Sequence, residues 1–204
     1  MSYIGTQPNN VKENIGLYTP NDITALTKDG NWGGSLELIQ SQTVSGVSNV
    51  IFSSIKESKF DVHMLQATNY QPAGNDVLGF RFYESGVIES GTVYQRGLQY
   101  GYLAHTSSGA FGINQATGVS FISLLGDSTS TSTESGEGYC YIYGAGNSNQ
   151  YTSVSLNTFG PDFFWYGMGL LPQASVVDGI YLYGVSTGQN FSGTFSLFGL
   201  KDIT

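Results

Sequence analysis

From Ser35 onward the chain is made of short stretches in which β-branched, aromatic and leucine side chains alternate with polar ones or stand together. Each stretch ends on Gly, Asn, Ser or Pro. A two-residue period is the mark of strands, and no window keeps a 3.6-residue period for three turns. The pattern predicts eleven strands: Ser35 to Gln42, Val47 to Ile55, Phe60 to Asn69, Asp76 to Glu84, Thr92 to Tyr100, Val119 to Leu125, Tyr139 to Tyr143, Tyr151 to Asn157, Phe163 to Met168, Ile180 to Gly184 and Phe191 to Leu200. In the last of them Phe191, Gly193, Phe195, Leu197 and Gly199 share one face and Ser192, Thr194, Ser196 and Phe198 the other, as in a half-buried strand. Phe163-Phe164-Trp165-Tyr166 is apolar on both faces, with Phe163 and Trp165 on one and Phe164 and Tyr166 on the other. Such a strand needs cover twice, once from an opposing sheet and once from a neighbouring subunit.

Turn chemistry supports the strand reading. Pro72-Ala73-Gly74-Asn75-Asp76 and Gly144-Ala145-Gly146-Asn147-Ser148-Asn149 sit between strand-like runs as hairpin loops do, and the polar, low-complexity stretch from Gly126 to Gly136 reads as a solvated loop. Tyr83-Glu84-Ser85-Gly86 is echoed by Ile88-Glu89-Ser90-Gly91, but no longer repeat exists, which disfavours a propeller or solenoid. Brief strands joined by connections of very different lengths predict an all-β, two-sheet sandwich, jelly-roll-like, over residues 35–204.

Residues 1–34 differ. They hold two prolines, several Asn and Gly, and scattered apolar residues without a period, so they read as an extended N-terminal arm with room for one helical turn at Pro20 to Ile23. As a docking arm it would use Tyr3, Ile4, Gly5, Pro8, Ile15, Leu17 and Tyr18 as its contacts, buried on a partner or a neighbouring subunit; a tail or linker is the alternative.

Composition narrows the function classes. Fifteen acidic against seven basic residues leave a formal net charge of −8, too few cations to neutralise phosphates, so nucleic acid and anionic membrane surfaces are excluded as partners. A protein or a neutral glycan remains. Only 11% of residues are charged, against about 25% in ordinary globular chains, and a surface wetted by Ser, Thr, Asn and Gln suits an assembly. No run of 18 apolar residues exists, and Met1 to Gln40 lacks the basic start and apolar stretch of a leader, so the expectation is a soluble chain with no membrane insertion. Cys140 is alone and reads as a small buried hydrophobe.

No motif assembles a reaction centre. Gly184-Val185-Ser186-Thr187-Gly188 has nucleophile-elbow spacing, but strand-forming residues follow it where a helix is required, so a hairpin turn is expected. Gly167-Met168-Gly169 and Gly144-Ala145-Gly146 lack the further glycines of a dinucleotide loop and read as turns or strand kinks. Asp61 and His63 would share a strand face as a hydrogen-bonded surface pair, and two ligands do not make a metal site. Glu84, Glu89, Glu134 and Glu137 stand beside Ser-Gly turns as solvated acids rather than as a glycosidase pair. Asn190-Phe191-Ser192 fits a glycosylation acceptor by letter only. The expectation is a non-enzyme without cofactor or metal. Tyr94, Tyr100, Tyr102, Tyr151 and Trp165 lie near polar loops where rings could stack on sugars or pack at interfaces; with Phe163, the candidate interface or glycan contacts are Phe163, Trp165, Tyr100, Tyr102 and Tyr151.

Several segments resemble a family. Ser35-Leu36-Glu37-Leu38-Ile39, Gln42-Thr43-Val44-Ser45, Val50-Ile51-Phe52-Ser53-Ser54-Ile55 and Phe60-Asp61-Val62-His63-Met64-Leu65 look like the opening strands of jelly-roll-like domains in structural proteins of tailed bacteriophages, marine and cyanobacterial phages above all. Phe191 to Lys201 is similar to their closing strand, and Ser2-Tyr3-Ile4-Gly5-Thr6-Gln7-Pro8 to the virion-docking leader of their tail-fibre proteins. The resemblance implies a virion component assembled in the host cytoplasm: a tail-fibre or tail-associated subunit, commonly a homotrimer, joined to other virion proteins through its arm and able to contribute to host attachment through a surface glycan. No extended shaft or coiled coil is present, which keeps a capsid decoration protein open; a free carbohydrate-binding module is the reading from another class.

Overall fold

The computed structural model of this chain describes residues 20–21, 36–102, 111–128, 135–160, 163–185 and 188–200, with the side chains of 127 and 128 excepted. The chain divides into two units, Met1–Gly34 and Ser35–Thr204, and each stands by itself below. In the first, Pro20 and Asn21 have helical backbone. Tyr3, Ile4, Gly5, Pro8, Ile15, Leu17 and Tyr18 lie outside the described residues, as do Glu134 and Ser186.

The second unit is all-β. Its thirteen described strands are β1 (Leu36–Val47), β2 (Asn49–Ser53), β3 (Val62–Pro72), β4 (Asp76–Glu84), β5 (Val87–Ile88), β6 (Tyr94–Tyr102), β7 (Phe111–Val119), β8 (Ile122–Ser128), β9 (Gly136–Tyr143), β10 (Tyr151–Phe159), β11 (Phe163–Ala174), β12 (Val177–Gly184) and β13 (Phe191–Leu200). They form two antiparallel sheets. One has eight strands in the order β1-β13-β3-β9-β10-β11-β6-β7; the other runs β2-β12-β4-β5, with β8 pairing on β4 beyond the end of β5.

The sheets face each other across one core. The smaller contributes Phe52, Leu78, Phe80, Phe82, Ile180 and Leu182, and the larger Leu65, Ala67, Cys140, Ile142, Leu156, Phe195 and Leu197, all buried. Strict alternation of buried and half-buried residues along β13 puts Phe191, Phe195 and Leu197 inward, as its two-residue period predicts. Room for the largest rings comes from a glycine: a Cβ on Gly126 of β8 would stand 2.8 Å from the Trp165 ring and 2.9 Å from that of Phe163. Gly167 serves a close approach of backbones, because a Cβ there would lie 2.2 Å from the Gly97 carbonyl oxygen on β6.

Several expectations are corrected. Thirteen strands replace eleven: β5 and β7 are additional, and the predicted run Val119 to Leu125 divides into the end of β7 and the start of β8. Pro72 to Asp76 is no hairpin loop, since β3 and β4 belong to different sheets, and the same holds for the connection after Gly184 between β12 and β13. Gly144 to Asn149 does join a hairpin, β9 to β10. Gly167 and Gly169 lie inside β11, which runs six residues beyond the predicted Met168.

Candidate functional site

Because neighbouring residues on a strand point to opposite sides, the pairing registers decide which side chains share the outer side of the eight-stranded sheet. One row across all eight strands reads Leu36, Leu200, Val62, Tyr143, Ser153, Leu170, Gln95, Thr117, and the next Leu38, Phe198, Met64, Tyr141, Ser155, Met168, Gly97, Gln115. The third is Ser41, Ser196, Gln66, Tyr139, Asn157, Tyr166, Gln99, Ile113; the fourth is broken by an irregularity between β3 and β9, with Thr43, Thr194 and Thr68 on one side and Glu137, Phe159, Phe164, Gly101 and Phe111 on the other. Glu137 is the one carboxylate or cation in these four rows.

The rows divide into two regions. On β1, β13, β3 and β9 the first two rows are apolar without interruption, from Leu36 and Leu38 to Tyr141 and Tyr143; Leu38 is 54% exposed. Tyr139, Tyr141 and Tyr143 stand ring beside ring, with centroids 5.7 and 6.4 Å apart. Next comes a polar column on β10, Ser153, Ser155 and Asn157, and beyond it β11, β6 and β7 carry aromatic, methionine, glutamine and glycine residues. There Phe164 and Tyr166 lie parallel at 10° with centroids 6.1 Å apart, and the Tyr166 hydroxyl donates to Gln99. Hydroxyl pairs finish the far end of the face, Ser41 with Ser196 at 2.8 Å and Thr43 with Thr194 at 3.0 Å.

The five candidate contacts separate. Phe163 and Trp165 face the core, 3% and 6% exposed, enclosed by the chain's own β8, so neither offers surface to a partner or a sugar. Tyr100 and Tyr102 pair across β6 with those two residues, on the same inner side, and meet edge to face at 5.6 Å; Tyr100 packs on the core and Tyr102 is exposed at its margin. Tyr151 is exposed at the start of β10. Tyr94, also considered for stacking, is wholly buried. Missed in the sequence were Leu38, Met64, Met168, Phe111 and Ile113. A signal for the face did exist in Tyr139-Cys140-Tyr141-Ile142-Tyr143, which puts a tyrosine at every second position.

The candidate titratable groups that the structure describes do not converge on one site. His63 is fully buried, not on the surface: its Nε2 bonds the Ile55 carbonyl at 2.8 Å, while Nδ1 is buried without a partner among the described residues. Asp61 precedes β3 and is exposed, so the two form no surface pair. Burial holds the imidazole below its ordinary range, against the raising pull of the Ile55 carbonyl and of the Glu57 and Asp61 charges. Burial likewise pushes the Cys140 thiol up to about 12. Glu84 accepts from Ser175, and the Glu89 carboxylate from the Gly91 N–H at 2.7 Å. Among the described residues no three His, Cys, Asp or Glu come together in a way that could hold a metal ion, and no helix is long and apolar enough to cross a membrane. No protein-family model matches this chain, and no curated protein matches it.

Proposed function

We propose that this chain is a structural component of a tailed-phage particle, a tail-fibre or tail-associated subunit anchored by its N-terminal arm, whose sandwich packs against copies of itself as a homotrimer. The phage assignment rests on the resemblance of the strands and leader; the assembly role rests on one observation, the uncharged apolar half of the outer sheet face. Eight side chains there, Leu36, Leu38, Leu200, Phe198, Val62, Met64, Tyr141 and Tyr143, are contiguous and half-buried or exposed. Solitary proteins break such faces with Lys or Glu, and large unbroken ones mark protein contacts. Hydrophobic burial drives such an association and the polar rows frame it.

Size-exclusion chromatography with light scattering on the full chain tests the reading. A trimer at micromolar concentration, dispersed to monomer by Leu38→Lys with Met64→Lys, is the expected result; a wild-type monomer overturns it. Deleting residues 1–30 is expected to abolish incorporation into particles while leaving the sandwich folded, and particles that keep the truncated chain refute the anchoring role.

A further inference from the structure

On the other half of the outer face the sheet is furrowed. Three cavities, of about 460, 210 and 260 Å³, follow one another along β6 and share its residues. The outward positions of β6 are Gln95, Gly97, Gln99 and Gly101, an alternation of amide and glycine, so that strand forms a sunken floor. A Cβ on Gly97 would meet nothing within 4 Å, whereas one on Gly101 would strike the Phe164 ring at 2.6 Å and that of Phe111 at 3.1 Å. The trough is therefore open in the middle and closed at one end, where Phe111 and Phe164 meet edge to face at 6.1 Å. From Gln95 to Gly101 it is roughly 20 Å long at about 3.4 Å per residue. One wall is the row of outward β11 side chains; the other carries Phe111 and Ile113, 82% and 66% exposed.

Its chemistry is selective. The floor and walls hold no charged outward side chain, and their polar groups are the carboxamides of Gln95, Gln99 and Gln115 and the hydroxyls of Thr117 and Tyr166. Carboxamides donate and accept at once, which suits neighbouring hydroxyls, and parallel aromatic rings offer flat faces to the C–H side of a sugar ring. Phe164 and Tyr166 lie parallel to each other along the wall, with centroids 6.1 Å apart. Arg96 borders the Gln95 end of the trough, but its guanidinium is engaged by Asn114, Ser123 and the Phe121 ring, so an anion would meet a cation already paired, against a chain of net charge −8. We propose that the trough over β6 binds a neutral oligosaccharide, stacked on Phe164 and Tyr166 and hydrogen-bonded by Gln95, Gln99 and Gln115. This goes beyond the assembly reading and does not need it, because the serine and asparagine column of β10 separates the trough from the apolar half.

The test uses the full chain, with cellotetraose, maltotetraose and triacetylchitotriose as neutral probes and a hyaluronan tetrasaccharide as the anionic one, followed by amide chemical shifts. Saturable shifts with at least one neutral probe, at millimolar or tighter dissociation constants and confined to residues 95–101, 111–117 and 164–170, are expected, with none from the anionic probe. Gly97→Leu, whose Cβ has nothing within 4 Å, puts an isobutyl group into the open centre and is expected to weaken binding more than about tenfold, or 1.4 kcal/mol, with the fold intact. Leu38→Lys, on the apolar half, is expected to leave binding unchanged. No saturable shift from any neutral probe up to about 10 mM, where even a 1 mM complex is nearly full, overturns the proposal, as do shifts centred elsewhere or full binding by Gly97→Leu.

Discussion

Tyr94 offers a sharp test of how the two sheets are joined. It lies on β6 in the larger sheet, is fully buried, and sends its hydroxyl into the smaller one, where it accepts from the Phe82 N–H at 2.9 Å and donates to the Glu89 carbonyl at 3.0 Å. The place is a gap. β8 pairs with β4 as far as Phe80, and β5 pairs with it at Tyr83 and Glu84; Glu89 N–H still reaches the Phe82 carbonyl at 2.9 Å, but the reverse bond of that pair is replaced by the tyrosine oxygen inserted between its donor and acceptor. Tyr94→Phe removes only the oxygen. It leaves the buried Phe82 N–H and the half-buried Glu89 carbonyl without that partner, at about 1–3 kcal/mol for the donor and about 1 kcal/mol for the partly wetted acceptor, so a loss of about 2–4 kcal/mol is expected. For a chain of this size that corresponds to roughly 5–15 °C in melting temperature. The control is Tyr70→Phe: Tyr70 is equally buried, but its hydroxyl has no hydrogen-bond partner among the described residues, and burial carries its pKa far above the ordinary phenol range. Its removal is expected to be neutral or stabilising. Urea unfolding with an unchanged m-value provides the comparison. A Tyr94→Phe loss below about 1 kcal/mol, or equal losses in the two variants, would show that the Phe82–Glu89 ladder closes unaided and that the stitch is not structural.

Two further outcomes follow from the buried titratable groups. His63 has its folded-state pKa lowered, chiefly by burial, so the stability tied to its neutral form is complete above the unfolded-state value of about 6.5 and declines as pH falls below it; urea midpoints from pH 8 to 5 should drop more in the wild type than in His63→Gln, and parallel curves would refute this. Cys140, fully enclosed with its thiol pushed up to about 12, is expected to resist a thiol reagent at pH 8 and to react at once in denaturant; rapid labelling of the folded chain would contradict the burial.

Elements with strong local patterning were legible in the sequence and those defined by their surroundings were not. β13 alternates cleanly and was read to its last residue, and the two faces of Phe163 to Tyr166 were assigned correctly. β7, Phe-Gly-Ile-Asn-Gln-Ala-Thr-Gly-Val, is rich in residues that strands ordinarily avoid; it is held by its pairing with β6, an edge position where nothing local records the partner. Turn residues announce that the chain reverses without saying which sheet the next strand joins, so Pro72 to Asp76 and the link after Gly184 were mistaken for hairpin loops. Aromatic content pointed to a binding surface but not to its side: Trp165 and Phe163 went to the core, and the trough owes its existence to Gly97 and Gly101, whose meaning lies in what neighbouring strands put beside them. His63 was misplaced for a similar reason, since a lone imidazole two residues from an aspartate gives no sign that a carbonyl eight residues upstream awaits it.

The first and last strands of the sandwich lie side by side, with Leu36 opposite Leu200. Tension applied between those two residues would load the hydrogen bonds of β1 and β13 one at a time, like a zipper opened from its tab, whereas the same force entering at one of them and leaving through the sheet face would load many bonds together in shear. A domain of this build would thus withstand pulling across its sheet face far better than pulling along its own thread, so the direction of the load determines how much strain it can carry.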